Sequence, residues 1–140
     1  MKKNPTLWWI IGLTVLIIGL FGWSQRAQNY DPNVIARNGL HWHSEIALYV
    51  KGEKIEIPKN IGIGAVHQPM HTHDDLPVLH LEFQGMVRKQ DLMLGQFFKN
   101  WGKDFNSFGS HVTMTVNGKE NTEFENYQMK NGDKIELRYE

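Results

Sequence analysis

The chain has 140 residues, with 15 Lys and Arg against 15 Asp and Glu, seven His and no Cys, so its formal charge at neutral pH is zero. That balance, with no basic run to follow a phosphate backbone, argues against nucleic acid as a partner. The missing thiols exclude disulfides, iron–sulfur clusters, thiolate zinc sites and blue copper centres, which leaves imidazole, carboxylate and thioether as ligands for any transition metal.

Residues 7–23 (LWWIIGLTVLIIGLFGW) carry no charge and have Thr14 as their sole polar side chain. At ~1.5 Å per residue they span roughly 25 Å, the lower limit for a hydrocarbon core of about 30 Å, and residues 5–24 supply the remainder. Trp8, Trp9 and Trp23 stand where indole rings favour the headgroup level. Lys2 and Lys3 precede the run, whereas Arg26 and Arg37 follow it with Asp31 between them. This small basic bias predicts a single-pass anchor in the cell membrane, with a cytoplasmic N-terminus (1–23) and the rest of the chain outside. A cleaved signal peptide is the rival reading, through Gly22-x-Ser24, but the apolar run exceeds the usual length of a signal core.

Residues 24–38 are polar and carry Pro32, which predicts a linker with at most a weak helical turn near 34–37. The remaining residues, 39–140, suffice for one extracytoplasmic domain. From His41 the pattern alternates. Trp42, Ile46, Leu48 and Val50 share one face and His41, His43, Glu45, Ala47 and Tyr49 the other, as in a strand with one buried side. Lys51-Gly52-Glu53 reads as a tight turn into a partner strand bearing Ile55 and Ile57, ended by Pro58.

Residues 78–83 alternate again, with Leu79, Leu81 and Phe83 inward and Val78, His80 and Glu82 on the other face. Asp91 is placed to cap a helix in which Leu94, Phe97, Phe98 and Trp101 recur at helical spacing, with Gly102 as its stop. Val112, Met114 and Val116 mark a further strand, Asn117-Gly118 a turn, and Asn131-Gly132-Asp133 the entry to a last strand with Ile135, Leu137 and Tyr139. The similar segments 50–54 and 116–120 read as two hairpin turns of like chemistry and not as a repeat. The order of hairpin, strand, helix, strand and strand predicts an α+β domain, a mixed β-sheet packed on one main helix in a β-grasp-like arrangement.

Six of the seven histidines lie between His41 and His80, four of them as His-x-His pairs: His41-Trp42-His43 and His71-Thr72-His73. Two residues apart in an extended strand point to one face, so each pair aims two imidazoles at a common point. Late transition metals take neutral imidazole at about 2.0–2.1 Å, and three or four such ligands complete a site. If the strands bearing His41 and His80 are neighbours, their side chains approach within about 5 Å. The sequence therefore predicts one metal site, for a copper or zinc ion, built from His41, His43, His71, His73 and His80. Asp74 and Glu82 are the expected carboxylates that orient the imidazoles. His67 and His111 read as ordinary surface. Met70, next to His71, is the one methionine worth considering as a thioether ligand, the others reading as core filler.

Taken together, His41-Trp42-His43, the segment Ile57-Pro58-Lys59-Asn60-Ile61-Gly62-Ile63, His71-Thr72-His73-Asp74, His80-Leu81-Glu82 and Leu94-Gly95-Gln96-Phe97-Phe98 with Trp101 resemble an uncharacterised family of small secreted or membrane-anchored bacterial and archaeal domains. The match covers about residues 39–102, and the later strands add a generic pattern. The resemblance implies an extracytoplasmic domain and points to His41, His43, His71, His73, His80 and Glu82, without implying an activity. The chain departs from that pattern at Asp75-Leu76-Pro77, where the family more often has Gly before the strand. His-Trp-His also resembles pieces of multicopper oxidase sites, a local likeness that leans towards copper.

The first functional expectation is a membrane-anchored domain that binds copper or zinc for sensing, buffering or delivery, with the bilayer, the metal and a membrane or extracytoplasmic protein as partners. A metal-dependent enzyme, either a zinc hydrolase or a copper oxidase with Asp74 or Glu82 as general base, is the second. A metal-free interaction or pH-sensing module is the third.

Overall fold

The computed structural model describes residues 5–28 and 31–140, and the chain divides into a unit of residues 1–32 and a second of residues 33–140. In the first, α1 spans Pro5–Gln28. Its stretch Pro5–Arg26, 22 residues, is long and apolar enough to cross a membrane, rising about 33 Å. The helix outruns the apolar segment because nothing from Ser24 to Arg26 breaks it. Its Leu, Ile and Trp side chains are exposed on every side, and a helix apolar all round needs apolar surroundings all round. The hydroxyl of Thr14 donates to the Ile10 carbonyl at 2.9 Å, so the one polar side chain within 7–23 is satisfied inside the helix. Lys2 and Lys3, on which the expected orientation partly rests, lie outside the described residues.

The second unit begins at Asn33, before the expected boundary at 39. Val34–Ala36 is a short strand, β1, and not a helical turn in a tether; it pairs antiparallel with β6, Val87–Arg88. The β-branched Val34 and Ile35 suit a strand, and the Asn33 carbonyl accepts the Lys89 N–H at 2.9 Å. The partner lies some fifty positions away, which local pattern cannot report.

The rest of the domain is α+β. Strands β2 (Leu40–Val50), β3 (Glu53–Ile55), β4 (Met70–Thr72), β5 (Val78–Phe83), β7 (Val112–Val116), β8 (Lys119–Glu120) and β9 (Lys134–Tyr139) form one mixed sheet. Its order is β4-β5-β2-β9-β7-β8, with β3 also on β2. The long β2 is antiparallel to β5 through its first half and to β3 through its second, while β9 lies parallel to it on the other side. Helix α2, Leu94–Trp101, buries Leu94, Phe97 and Phe98 in a core shared with Ile46, Leu48, Leu79, Leu81, Met114 and Leu137. Gly102 ends it in the left-handed conformation, φ 70°, which glycine adopts without steric cost.

Asp91 does not cap α2. It lies in the 3₁₀ turn Lys89–Leu92, where its carboxylate accepts the Arg88 N–H at 2.8 Å, and Met93 precedes the α-helix. The carboxylate serves a helical start, but one turn earlier than expected, because the 3₁₀ turn intervenes. Met70 is 1 % exposed in the apolar core, opposite Leu81. Its thioether therefore lies on the face away from the histidines and drops out as a ligand.

Candidate metal centre

Strand β4 adds to the strands that the sequence pattern predicts. Three residues behind Pro69 are too few to show an alternation. The strand nevertheless decides the site, because it pairs His71 with His80, while β2 pairs His43 with His80 and His41 with Glu82. His71, His80 and His43 thus form one row across three adjacent strands. Glu82 and His41 occupy the next row on the same face, and His73, two residues beyond His71, flanks the other side. Residues facing across a sheet stand about 5 Å apart, and the ring centroids agree: 4.8 Å for His43 and His80, 5.4 Å for His71 and His80, 4.9 Å for His73 and His80. Within the pairs, His41 and His43 lie 4.8 Å apart and His71 and His73 likewise. All five imidazoles predicted from the sequence come together.

The backbone under these side chains is held from several directions. His43 donates its N–H to the Asn131 side-chain carbonyl at 3.0 Å, and its C=O accepts from Gly132 at 2.7 Å. That turn is fixed by buried Asp133, whose carboxylate accepts from Tyr127 Oη at 2.8 Å, the Lys130 N–H at 2.7 Å and Asn117 Nδ2 at 3.0 Å. Burial and this carboxylate push the Tyr127 phenol pKa up. Over β4, residues 58–69 fold back onto the strand. Gly62 has φ +72°, and a Cβ there would sit 2.6 Å from the Met70 carbonyl and 3.2 Å from His71 Cβ. Only a residue without a side chain permits that approach. His71 is 3 % exposed as a result, and burial lowers its pKa from 6.5, keeping the ring neutral.

The ring nitrogens sort into those already engaged and those free to bind. His71 Nδ1 lies 3.0 Å from the Gln68 carbonyl and donates to it, so Nε2 is left with its lone pair. His80 Nε2 lies 3.1 and 3.2 Å from the two oxygens of Asp75. Its Nδ1 is, among the described residues, the one buried side-chain nitrogen or oxygen with no hydrogen-bond partner; Glu82 Oε1 lies 3.7 Å away. A carbonyl or carboxylate behind each imidazole, with the opposite nitrogen free, is the arrangement that fixes a ligating histidine's tautomer. His41 Nε2 stands 3.2 Å from His43 Nε2 and 3.2 Å from Glu82 Oε1. Donors around a tetrahedral ion with bonds of about 2.05 Å are separated by about 3.3 Å, so His41 Nε2 stands at the spacing of a fellow ligand from each of these two neighbours.

The carboxylates need two corrections. Asp74 is 84 % exposed and pairs with Lys59 Nζ at 3.0 Å; it orients no histidine. Asp75 takes that role through His80, whose hydrogen bond holds the Asp75 pKa below the usual carboxylate range. Its five-residue separation from His80 carries no periodic signal in the sequence. Glu82, expected behind a ligand, has the spacing of a ligand itself. His67, set aside as surface, is exposed, yet its ring centroid lies 6.1 Å from that of His71. With His41, His71, Val66, Gln68 and Glu82 it lines an open cleft of about 890 Å³. His111 is exposed at the edge of β7, across β9 from β2, and is not among the converging groups.

Two sets of donors converge to within 4.8 Å: His41, His43 and His80, and His71, His80 and Glu82. Comparison with family models, with curated proteins and with solved structures finds no match for this chain.

Proposed function

We propose that this chain is a membrane-anchored domain that binds a late transition metal, copper or zinc, through His41, His43, His71, His73, His80 and Glu82, for sensing, buffering or delivery outside the cytoplasm. The observation that carries this reading is His80. A buried ring nitrogen without a hydrogen-bond partner costs about 1–3 kcal/mol, and here it stands among four other imidazoles with Asp75 braced behind it. A metal ion converts that cost into a bond. The anchor is α1, apolar on every side, and the Lys2 and Lys3 bias favours the domain outside. We read the sheet as β-grasp-like, since a hairpin, a helix and two further strands place the last strand parallel to the first.

The test is metal content. The full chain in detergent micelles, equilibrated with Zn(II) or Cu(II) and then passed through a desalting column, should retain metal. The quadruple variant His41→Ala, His43→Ala, His71→Gln, His73→Gln should retain none. Because imidazole binds metal when neutral, affinity should fall as pH drops through about 6.5. Failure of the parent protein to hold either metal tightly ends the reading.

The cleft favours one alternative, a metal-dependent enzyme in which a small substrate enters beside His41 and Glu82. Its signature is chelator-sensitive turnover of simple esters or of a reduced phenol that disappears with His41→Ala. A metal-free interaction or pH-sensing module is separated from both by indifference to chelator.

A further inference from the structure

We infer that the histidine face holds two metal ions side by side, bridged by the Glu82 carboxylate; this rests on the metal-binding reading above. The face offers five imidazoles and one carboxylate, whereas zinc and copper sites of this kind commonly use four donors. The donors also divide in space. His41 and His43 lie on β2, at one side of His80, and His71 and His73 on and just after β4, at the other.

His80 belongs to both converging sets, but with Nε2 held by Asp75 it has one nitrogen to give. The bridging role therefore falls to Glu82, whose Oε1 stands 3.2 Å from His41 Nε2 and 3.7 Å from His80 Nδ1. A carboxylate that reaches both positions also offsets the repulsion between two cations, which in two-metal sites lie about 3.5–4 Å apart.

The two positions differ in character. The inner one, with His71, His80 and Glu82, contains the most buried histidine, His71, 3 % exposed, and the His73 ring stands beside it, 4.9 Å from that of His80. The outer one is built on the exposed His41 and His43, with Glu82 reaching it through its 3.2 Å approach to His41 Nε2, and His41 and Glu82 line the cleft shared with Val66, His67 and Gln68. The outer ion is the exchangeable one, open to water or to a single donor atom from a partner.

The experiment is a Cu(II) titration of the full chain in micelles, followed by metal analysis and electron paramagnetic resonance. Two ions per chain are expected, the second converting the isolated Cu(II) signal into a spin-coupled one, and the chelator-accessible ion should be lost first. His41→Ala with His43→Ala should leave one ion and an isolated signal. So should His71→Gln with His73→Gln, read only where circular dichroism matches the parent; the exposed His41 and His43 pair makes the test independent of that condition. Glu82→Gln should abolish the coupling. One ion in the parent, lost entirely in either double variant, overturns the two-ion centre and leaves the single-site reading standing. Two ions without coupling overturn the Glu82 bridge. No bound metal in any sample sinks the two-ion centre and the metal reading together.

Discussion

Strand β5 presents opposite requirements on its two faces. Leu79 and Leu81 are 0 % exposed against the core, while His80 and Glu82 alternate with them on the other side. The core face is satisfied by volume and apolarity, and many side chains of similar size would serve it. The histidine face is ordered by donor direction: the Gln68 carbonyl fixes one nitrogen of His71 and Asp75 one nitrogen of His80, leaving the other nitrogen of each ring free. Stability resides in the first face and the proposed binding in the second, so substitutions on the two should separate those quantities.

The largest effect should come from the core. Leu81→Ala should cost about 2–5 kcal/mol, read as a lower denaturant midpoint at unchanged slope, with metal affinity preserved in whatever fraction stays folded. Loss of affinity in that folded fraction would show that the faces are not independent.

Next is Asp75→Asn. The loss of a carboxylate behind a ligating histidine weakens metal binding roughly 10–100-fold, and since Asp75 is exposed the midpoint of the metal-free protein should barely move. A large fall in stability with unchanged affinity would reverse the assignment of Asp75 to the site.

His80→Leu should separate the two quantities. It removes a buried nitrogen that lacks a hydrogen-bond partner together with the Nε2 bond to exposed Asp75, two losses of opposite sign, so the stability of the metal-free protein should move by no more than about 1 kcal/mol, while binding by the central row is lost. A variant that keeps the parent's metal affinity would remove His80 from the site.

The smallest effect is in pH. Burial lowers the His71 pKa from 6.5 in the folded state. Below about 6.5 the unfolded chain takes up a proton that the folded chain refuses, so the stability of the metal-free protein should decline as pH falls from there towards the lowered value and then level off. His71→Gln should remove that part of the slope, measured by urea titration at several pH values.

The faces also differ in how much of them could be read from the sequence. The alternation in 40–50 and 78–83 is long enough to assign Leu79 and Leu81 inward and His41, His43 and His80 outward. What pattern could not supply was partnership: β4 is three residues long, β1 finds β6 far along the chain, and Asp75 reaches His80 from a turn. Met70 and Asp74 were misjudged for one reason. Adjacency to a ligand in sequence says nothing about direction: Met70, beside His71 in a strand, faces the core, and Asp74, in the bend after His73, turns out to Lys59. His67 was set aside because loop residues have no phase, and only the fold of 58–69 over β4 brings it near His71.

That covering loop has a consequence for how the domain behaves among other copies of itself. Strand β4 ends the sheet, and an uncovered end strand is a template for another chain. Here the Asn60 N–H donates to the Thr72 carbonyl at 3.0 Å, Thr72 returns its N–H to the Ile61 carbonyl at 3.1 Å, and the Met70 carbonyl accepts from Asn100 Nδ2 at 2.9 Å. The main-chain groups that would recruit a neighbouring strand are already taken, and at the opposite end β8 is two residues long. Copies of the domain brought close together can then present their histidine faces without zipping together through the sheet, and any association between them has to run through side chains.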